Sequence, residues 1–185
     1  MESKAKIFGH AIHPILIVFP LGLLATAVIF DVLYLATANS TWSVVAFWMI
    51  AAGLIGGLVA ALFGLIDYLY IPRGTRAKRI GMYHAIVNVG AMLLFALSLY
   101  LRWQVPATDI ITTTPTHTPA PTTTALLCSF GGVLLALVGG WFGGELVERL
   151  GVGVTPGADL NAPSSLTHGS AFEADVRRQD LHPTR

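Results

Sequence analysis

Four stretches of the chain stay apolar long enough for a helix to cross a bilayer, with very few charges inside them. Such a helix needs about 20 mainly apolar residues, because every backbone N–H and C=O in hydrocarbon has to be satisfied within the segment. The first stretch runs from about Pro14 to Ala38 with Asp31 as its charge, and the second from about Trp42 to Ile71 with Asp67. The third runs from about Ile80 to Leu101 and the fourth from about Thr124 to Leu146. This pattern predicts an all-α fold, a four-helix transmembrane bundle over residues 14–150. Residues 1–13 form a short cytoplasmic N-terminal segment in this reading. Residues 151–185 lose the apolar pattern and collect Pro, Ser, Asp and Arg, which predicts a largely disordered cytoplasmic tail.

The connections set the orientation. Only Asn39, Ser40 and Thr41 separate the first two spans, so these should form a tight hairpin. The loop from Pro72 to Arg79 carries Arg73, Arg76, Lys78 and Arg79, and positive charge beside helix ends stays in the cytoplasm. Lys4 and Lys6 before the first span, and Arg149, Arg177, Arg178 and Arg185 after the fourth, place both termini on that same side. Arg102, beside Trp103, falls on the far side. The connection from Gln104 to Thr123 is built from Thr and Pro and suggests a flexible outer loop. Lys4, Lys6, the first apolar run and Ala36-Thr37-Ala38 together imitate a secretory signal, but the run is too long and contains Asp31.

Composition strengthens the membrane reading and removes other classes. Charged residues make up 11% of the chain and apolar residues 54%, whereas soluble domains are about a quarter charged. A net charge of +1 with no long basic run argues against nucleic acid as a partner. The single cysteine, Cys128, lies in an apolar run and suits a buried hydrophobe rather than a disulfide or thiolate cluster.

An ionisable side chain inside the bilayer costs about 2.5–3.5 kcal/mol on insertion scales, so each one asks for a partner or a role. His10 and His13 on the first span, Asp67 on the second, His84 on the third and Glu145 on the fourth all fall near the inner boundary. His10, His13 and His84 are candidate cofactor ligands, and the full set of five is a candidate divalent-metal site. Pro14 suits the first helical position and is expected to leave His13 on the turn entering the helix, while Pro20 should bend that helix or open its ladder. Gly53, Gly57, Ala60, Gly64 and Asp67 share one face of the second helix, and Asn88 lies one turn from His84. On the fourth helix, Gly132, Ala136, Gly139 and Gly143 lie nearly opposite Leu134, Val138, Trp141 and Glu145. Either Glu145 faces inward and the glycines make a homo-oligomer contact, or the glycines pack the bundle and Glu145 reaches the headgroups. Asp31 stands apart, with Tyr34 or Arg102 as its expected outer partner.

The stretch Gly9-His10-Ala11-Ile12-His13-Pro14, then Phe19-Pro20-Leu21-Gly22-Leu23 and Phe30-Asp31, resembles the opening of a bacterial family of predicted four-helix membrane proteins, domain of unknown function 2231. Asp67-Tyr68, His84 with Asn88, Gly143-Gly144-Glu145-Leu146 and Gly151-Val152-Gly153-Val154 continue the resemblance, which covers about Lys6 to Val154. Ala11 stands where the family commonly has proline, and Val18 where some members carry a further histidine. The resemblance implies a multi-pass protein of the bacterial inner membrane. Fusion of some relatives to Rieske-type or cytochrome domains implies an electron-transfer setting and a redox partner.

Three functions are compatible with these residues. Two histidines on facing helices can serve as axial ligands of a b-type haem, His84 with His13 or His10. The same imidazoles with Asp67 and Glu145 suit a divalent metal. A proton or ion relay, or a transporter subunit, would use Asp31, Asn88, His84 and Asp67 along the bundle. Against these stands a structural membrane subunit without cofactor, its histidines bonding only carbonyls and headgroups. No nucleophile with a base and an orienting acid is visible, so enzyme activity is not expected.

Overall fold

The computed structural model describes residues 1–104 and 121–166. Its helices are α1 (Ile12–Leu16), α2 (Val18–Thr37), α3 (Ser40–Tyr70), α4 (Arg76–Trp103) and α5 (Thr123–Gly144), the last continued by a π-helical turn over Glu145–Arg149. Four helical stretches are long and apolar enough to cross a membrane: Ile12–Thr37, Ser40–Tyr70, Arg76–Trp103 and Thr123–Arg149. The protein is a multi-pass, four-helix membrane protein.

Helices α1 and α2 are one span interrupted at Ile17. Pro20 causes the break, because it has no N–H to give to the carbonyl of Leu16 four residues back. The ladder resumes on both sides, with Ile17 N donating to His13 O at 3.1 Å and Leu21 N to Ile17 O at 3.1 Å. The other helices begin at capping side chains. Asn39 Oδ1 accepts from Thr41 N at 3.0 Å, Thr75 Oγ1 from Lys78 N at 3.1 Å, and Thr122 Oγ1 from Ala125 N at 3.1 Å. Each satisfies an N–H that a first turn leaves without an intrahelical partner.

His13 corrects the expectation from Pro14. The helix begins at Ile12, so Pro14 is its third residue and His13 already belongs to the first turn. A proline there costs nothing, since the first-turn amides have no carbonyl to reach in any case.

The N-terminal segment is folded. Strands β1 (Lys6–Ile7) and β2 (His10–Ala11) pair antiparallel around Phe8 and Gly9, whose φ values of 49° and 82° make the two-residue turn that suits hairpin twist. Just beyond the last helix, Gly151 O accepts from the Met1 ammonium at 2.8 Å, and Gly153 N donates to Met1 O at 2.7 Å. Residues 151–166 continue as turns and loop. The expected outer loop over 105–120 and the rest of the expected tail, 167–185, lie outside the described residues.

Helices adjacent in sequence pack most closely, α2 on α3 and α4 on α5. Small residues make this possible. A Cβ on Gly53 would fall 2.7 Å from Leu24, one on Gly57 2.6 Å from Met92, and one on Gly132 2.8 Å from the Phe95 ring. The apolar centre consists of Leu24, Ala27, Ala46, Ile50 and Phe95, while most large apolar side chains face outward, as lipid contact requires.

Candidate functional site

At the end of the bundle that carries the N-terminus, His13 of α1 and His84 of α4 face each other across the interior. Their ring centres are 6.3 Å apart and their planes 85° from parallel. Each ring is tied to the backbone of a third or fourth helix. His13 Nδ1 lies 2.8 Å from Ala60 O of α3, and His84 Nδ1 lies 2.9 Å from Gly139 O of α5. A carbonyl oxygen only accepts, so each Nδ1 donates the bond and carries a proton. A metal-ligating histidine is held in the same way, with one ring nitrogen bonded to a fixed acceptor and the other turned to the metal.

Glycines shape the surroundings of both rings. A Cβ at Gly64 would come within 2.8 Å of the His13 ring, and one at Gly139 within 2.6 Å of the Asn88 amide. Asn88 Nδ2 donates to His84 O at 2.8 Å and lies 3.3 and 3.4 Å from the two ring nitrogens, so its amide sits over the imidazole face.

The other candidates go elsewhere. Asp67 binds the N-terminal segment: Ser3 Oγ lies 2.8 and 2.7 Å from its two oxygens, and Lys4 N donates to Oδ1 at 2.8 Å. Glu145 pairs with Arg76. His10 Nε2 meets Ser165 Oγ at 3.2 Å. Among the described residues, no three His, Cys, Asp or Glu side chains come together in a group that could hold a metal ion. The five inner-end residues therefore resolve into one facing pair and three separate contacts.

The ambiguity on the fourth span resolves the same way. Gly132, Gly139 and Gly143 pack against Phe95, Asn88 and His84 of α4, inside the chain, while Leu134 and Trp141 are exposed.

A second polar layer lies toward the opposite end. Arg102 Nη2 donates to both oxygens of Asp31 at 2.8 and 2.7 Å, and the pair is completely buried on the Asp31 side. Arg102 Nε reaches Ser98 Oγ at 3.2 Å, Nη2 reaches Ser129 Oγ at 3.2 Å, and the two serine hydroxyls are 2.8 Å apart. Arg102 is the partner of Asp31 and is drawn inward from the interface, with Ser98 and Ser129 as members the apolar runs concealed.

The family model for predicted membrane protein DUF2231 matches residues 9–156. The chain belongs to this family. No curated protein and no solved structure matches it. The DUF2231 match contains both facing histidines, Asn88, Asp67, Glu145 and the Asp31–Arg102 pair, whereas Ser3 and Lys4, which hold Asp67, precede it.

Proposed function

We propose that this DUF2231 chain is a cofactor-holding module of the bacterial inner membrane, with His13 and His84 as axial ligands of a b-type haem. The observation that carries the reading is the facing pair itself: two imidazoles 6.3 Å apart, each held through Nδ1 to a helix carbonyl. Where a haem is bound, His13 and His84 would be the residues that hold it, through the ring nitrogens not bonded to Ala60 O and Gly139 O.

Among the described residues the donor count favours haem over a free divalent ion. A structural zinc-type site draws four donors from the protein, and a catalytic one three. A porphyrin brings four nitrogens of its own and leaves only the two axial positions to the chain. When bound, haem iron supplies reversible one-electron chemistry. The chain's contribution is to fix ring orientation through Ala60 O and Gly139 O, to cover one imidazole face with Asn88, and to keep bulk away with Gly64 and Gly143. A redox partner follows from this role.

The sidedness proposed is cytoplasmic for both termini. Lys4, Lys6, Arg73, Arg76, Lys78, Arg79 and Arg149 gather at one end of the bundle, the distribution that retains a helix end in the cytoplasm.

The test is the visible spectrum of the full chain purified in mild detergent, oxidised and reduced, with elemental analysis of the same sample. A Soret band that disappears in His84→Ala and His13→Ala and survives in His10→Ala is the expected result. A colourless, iron-free protein from haem-replete cells would overturn the reading.

A further inference from the structure

Helix α4 carries a polar seam that is interrupted once. His84, Asn88, Ala91, Phe95, Ser98 and Arg102 recur alternately four and three residues apart, a spacing that keeps them on one face. Helix α5 answers with Ala125, Ser129, Gly132, Ala136, Gly139 and Gly143 in the same alternation. The contacts follow that register: His84 meets Gly139 O and Gly143, Asn88 meets Gly139, Phe95 meets Gly132, and Ser98 meets Ser129.

Two hydrogen-bonding layers therefore share one helix interface, with only Ala91 and Phe95 between them on α4. Phe95 is fully buried and, with Ile50, is among the largest completely enclosed side chains among the described residues. Leu24 and Ala27 from α2, Ala46 and Ile50 from α3, and the bare backbone of Gly132 close around it. On the side toward the histidines, Met92 lies against the Gly57 position, next to Pro20. At 1.5 Å per residue, Asn88 and Ser98 are separated by roughly 15 Å along the helix. That gap offers no side-chain donor or acceptor on the seam, and a proton does not cross such a gap without water or a polar chain.

We propose that the Phe95 layer is a proton barrier, so that no proton passes between the polar groups at the N-terminal end of the bundle and the Asp31–Arg102 layer. The Asp31–Arg102–Ser98–Ser129 layer is then cut off from the imidazole pair and is not the outer half of a relay. Asn88 and His84 serve the N-terminal-end site alone, and Asp31 has no route to them. What the barrier protects rests on the proposed cofactor site; the barrier itself rests only on the seam.

The experiment measures proton flux in proteoliposomes holding a pH-sensitive dye, driven by a potassium diffusion potential. The variants are the parent, Phe95→Leu, and Ala91→Ser combined with Phe95→Ser, which places hydroxyls across the gap at the seam spacing. The parent and Phe95→Leu are expected to be as tight as empty vesicles, and the double variant to leak at least tenfold faster. A conducting parent, or a double variant as tight as the parent, overturns the proposal. If the double variant is not recovered as a monodisperse protein, Leu24→Ser combined with Phe95→Ser opens the same layer from α2 and is read by the same two outcomes. A visible spectrum on each sample keeps the two proposals apart: loss of the haem reading leaves the flux result standing, and a leak leaves the spectrum unchanged.

Discussion

Asp31 of α2 and Arg102 of α4 make an ion pair whose side chains are 0% and 4% exposed. Both charges lie in membrane-spanning helices, where neither is tolerated alone. Among the described residues Arg102 Nη1 has no hydrogen-bond partner, and the guanidinium is held by Asp31 and the two serines through its remaining nitrogens. Removing one partner leaves the other buried and uncompensated, which costs about 3–5 kcal/mol. Asp31→Leu and Arg102→Met alone are each expected to lower stability by that order in a detergent unfolding titration. The double variant should recover most of the loss, because replacing a buried pair by apolar residues of similar volume is often neutral. Additive losses in the double variant would show that the two residues act independently.

Gly64 allows a separate test of the histidine site. A methyl group there would stand 2.8 Å from His13 Cε1 and 2.9 Å from Nδ1, so the ring has to move. The helix itself gains from the change, since glycine costs about 1 kcal/mol relative to alanine in a helix interior. Gly64→Ala is thus expected to keep the fold and its melting temperature while weakening haem retention at least tenfold. An unchanged affinity in a titration with added haem would remove His13 from the ligand set.

The apolar runs predicted the four spans because hydrocarbon imposes one requirement, a long segment with its backbone satisfied internally. Pairing inside the bundle was less visible, for identifiable reasons. Ser98 and Ser129 disappear within apolar runs, and only the four-and-three alternation shared by α4 and α5 points to them. The spacing on the fourth span leaves two faces open, and only the glycine contacts with α4 and the Glu145–Arg76 pair choose between them. Asp67 ends the small-residue face of the second helix, but its partners Ser3 and Lys4 come from a hairpin-bearing segment whose composition does not announce a fold. Pro20 predicts the opened ladder at Ile17, while the spacing leaves open which of His10 and His13 faces His84.

Asp67 organises the N-terminal segment through acceptors that an amide only half replaces. Its Oδ1 receives Lys4 N at 2.8 Å, and Ser3 Oγ lies against both oxygens. Asp67→Asn puts an NH2 where one of those donors expects an oxygen. Amide hydrogen exchange over residues 3–12 is expected to accelerate tenfold or more, with the exchange of α4 and α5 unchanged. Uniform acceleration throughout the bundle would instead make Asp67 a determinant of the whole fold.

Glu145 separates the haem reading from the divalent-metal reading. Its carboxylate pairs with Arg76, whose side chain is half exposed, and a pair open to water contributes about 0–1 kcal/mol. If the chain supplies only two imidazoles to a haem, Glu145→Gln should leave the Soret band, the iron content and the melting temperature near those of the parent. If Glu145 instead swings in to complete a metal site with His84, the same substitution should abolish metal binding, whatever it does to stability. His84→Ala loses the cofactor in both cases, so only the comparison of the two variants decides. The expected pattern is loss with His84→Ala and retention with Glu145→Gln, read by absorbance and elemental analysis on matched samples. The contact with Arg76, at the start of α4, is what holds the carboxylate away from the imidazole pair.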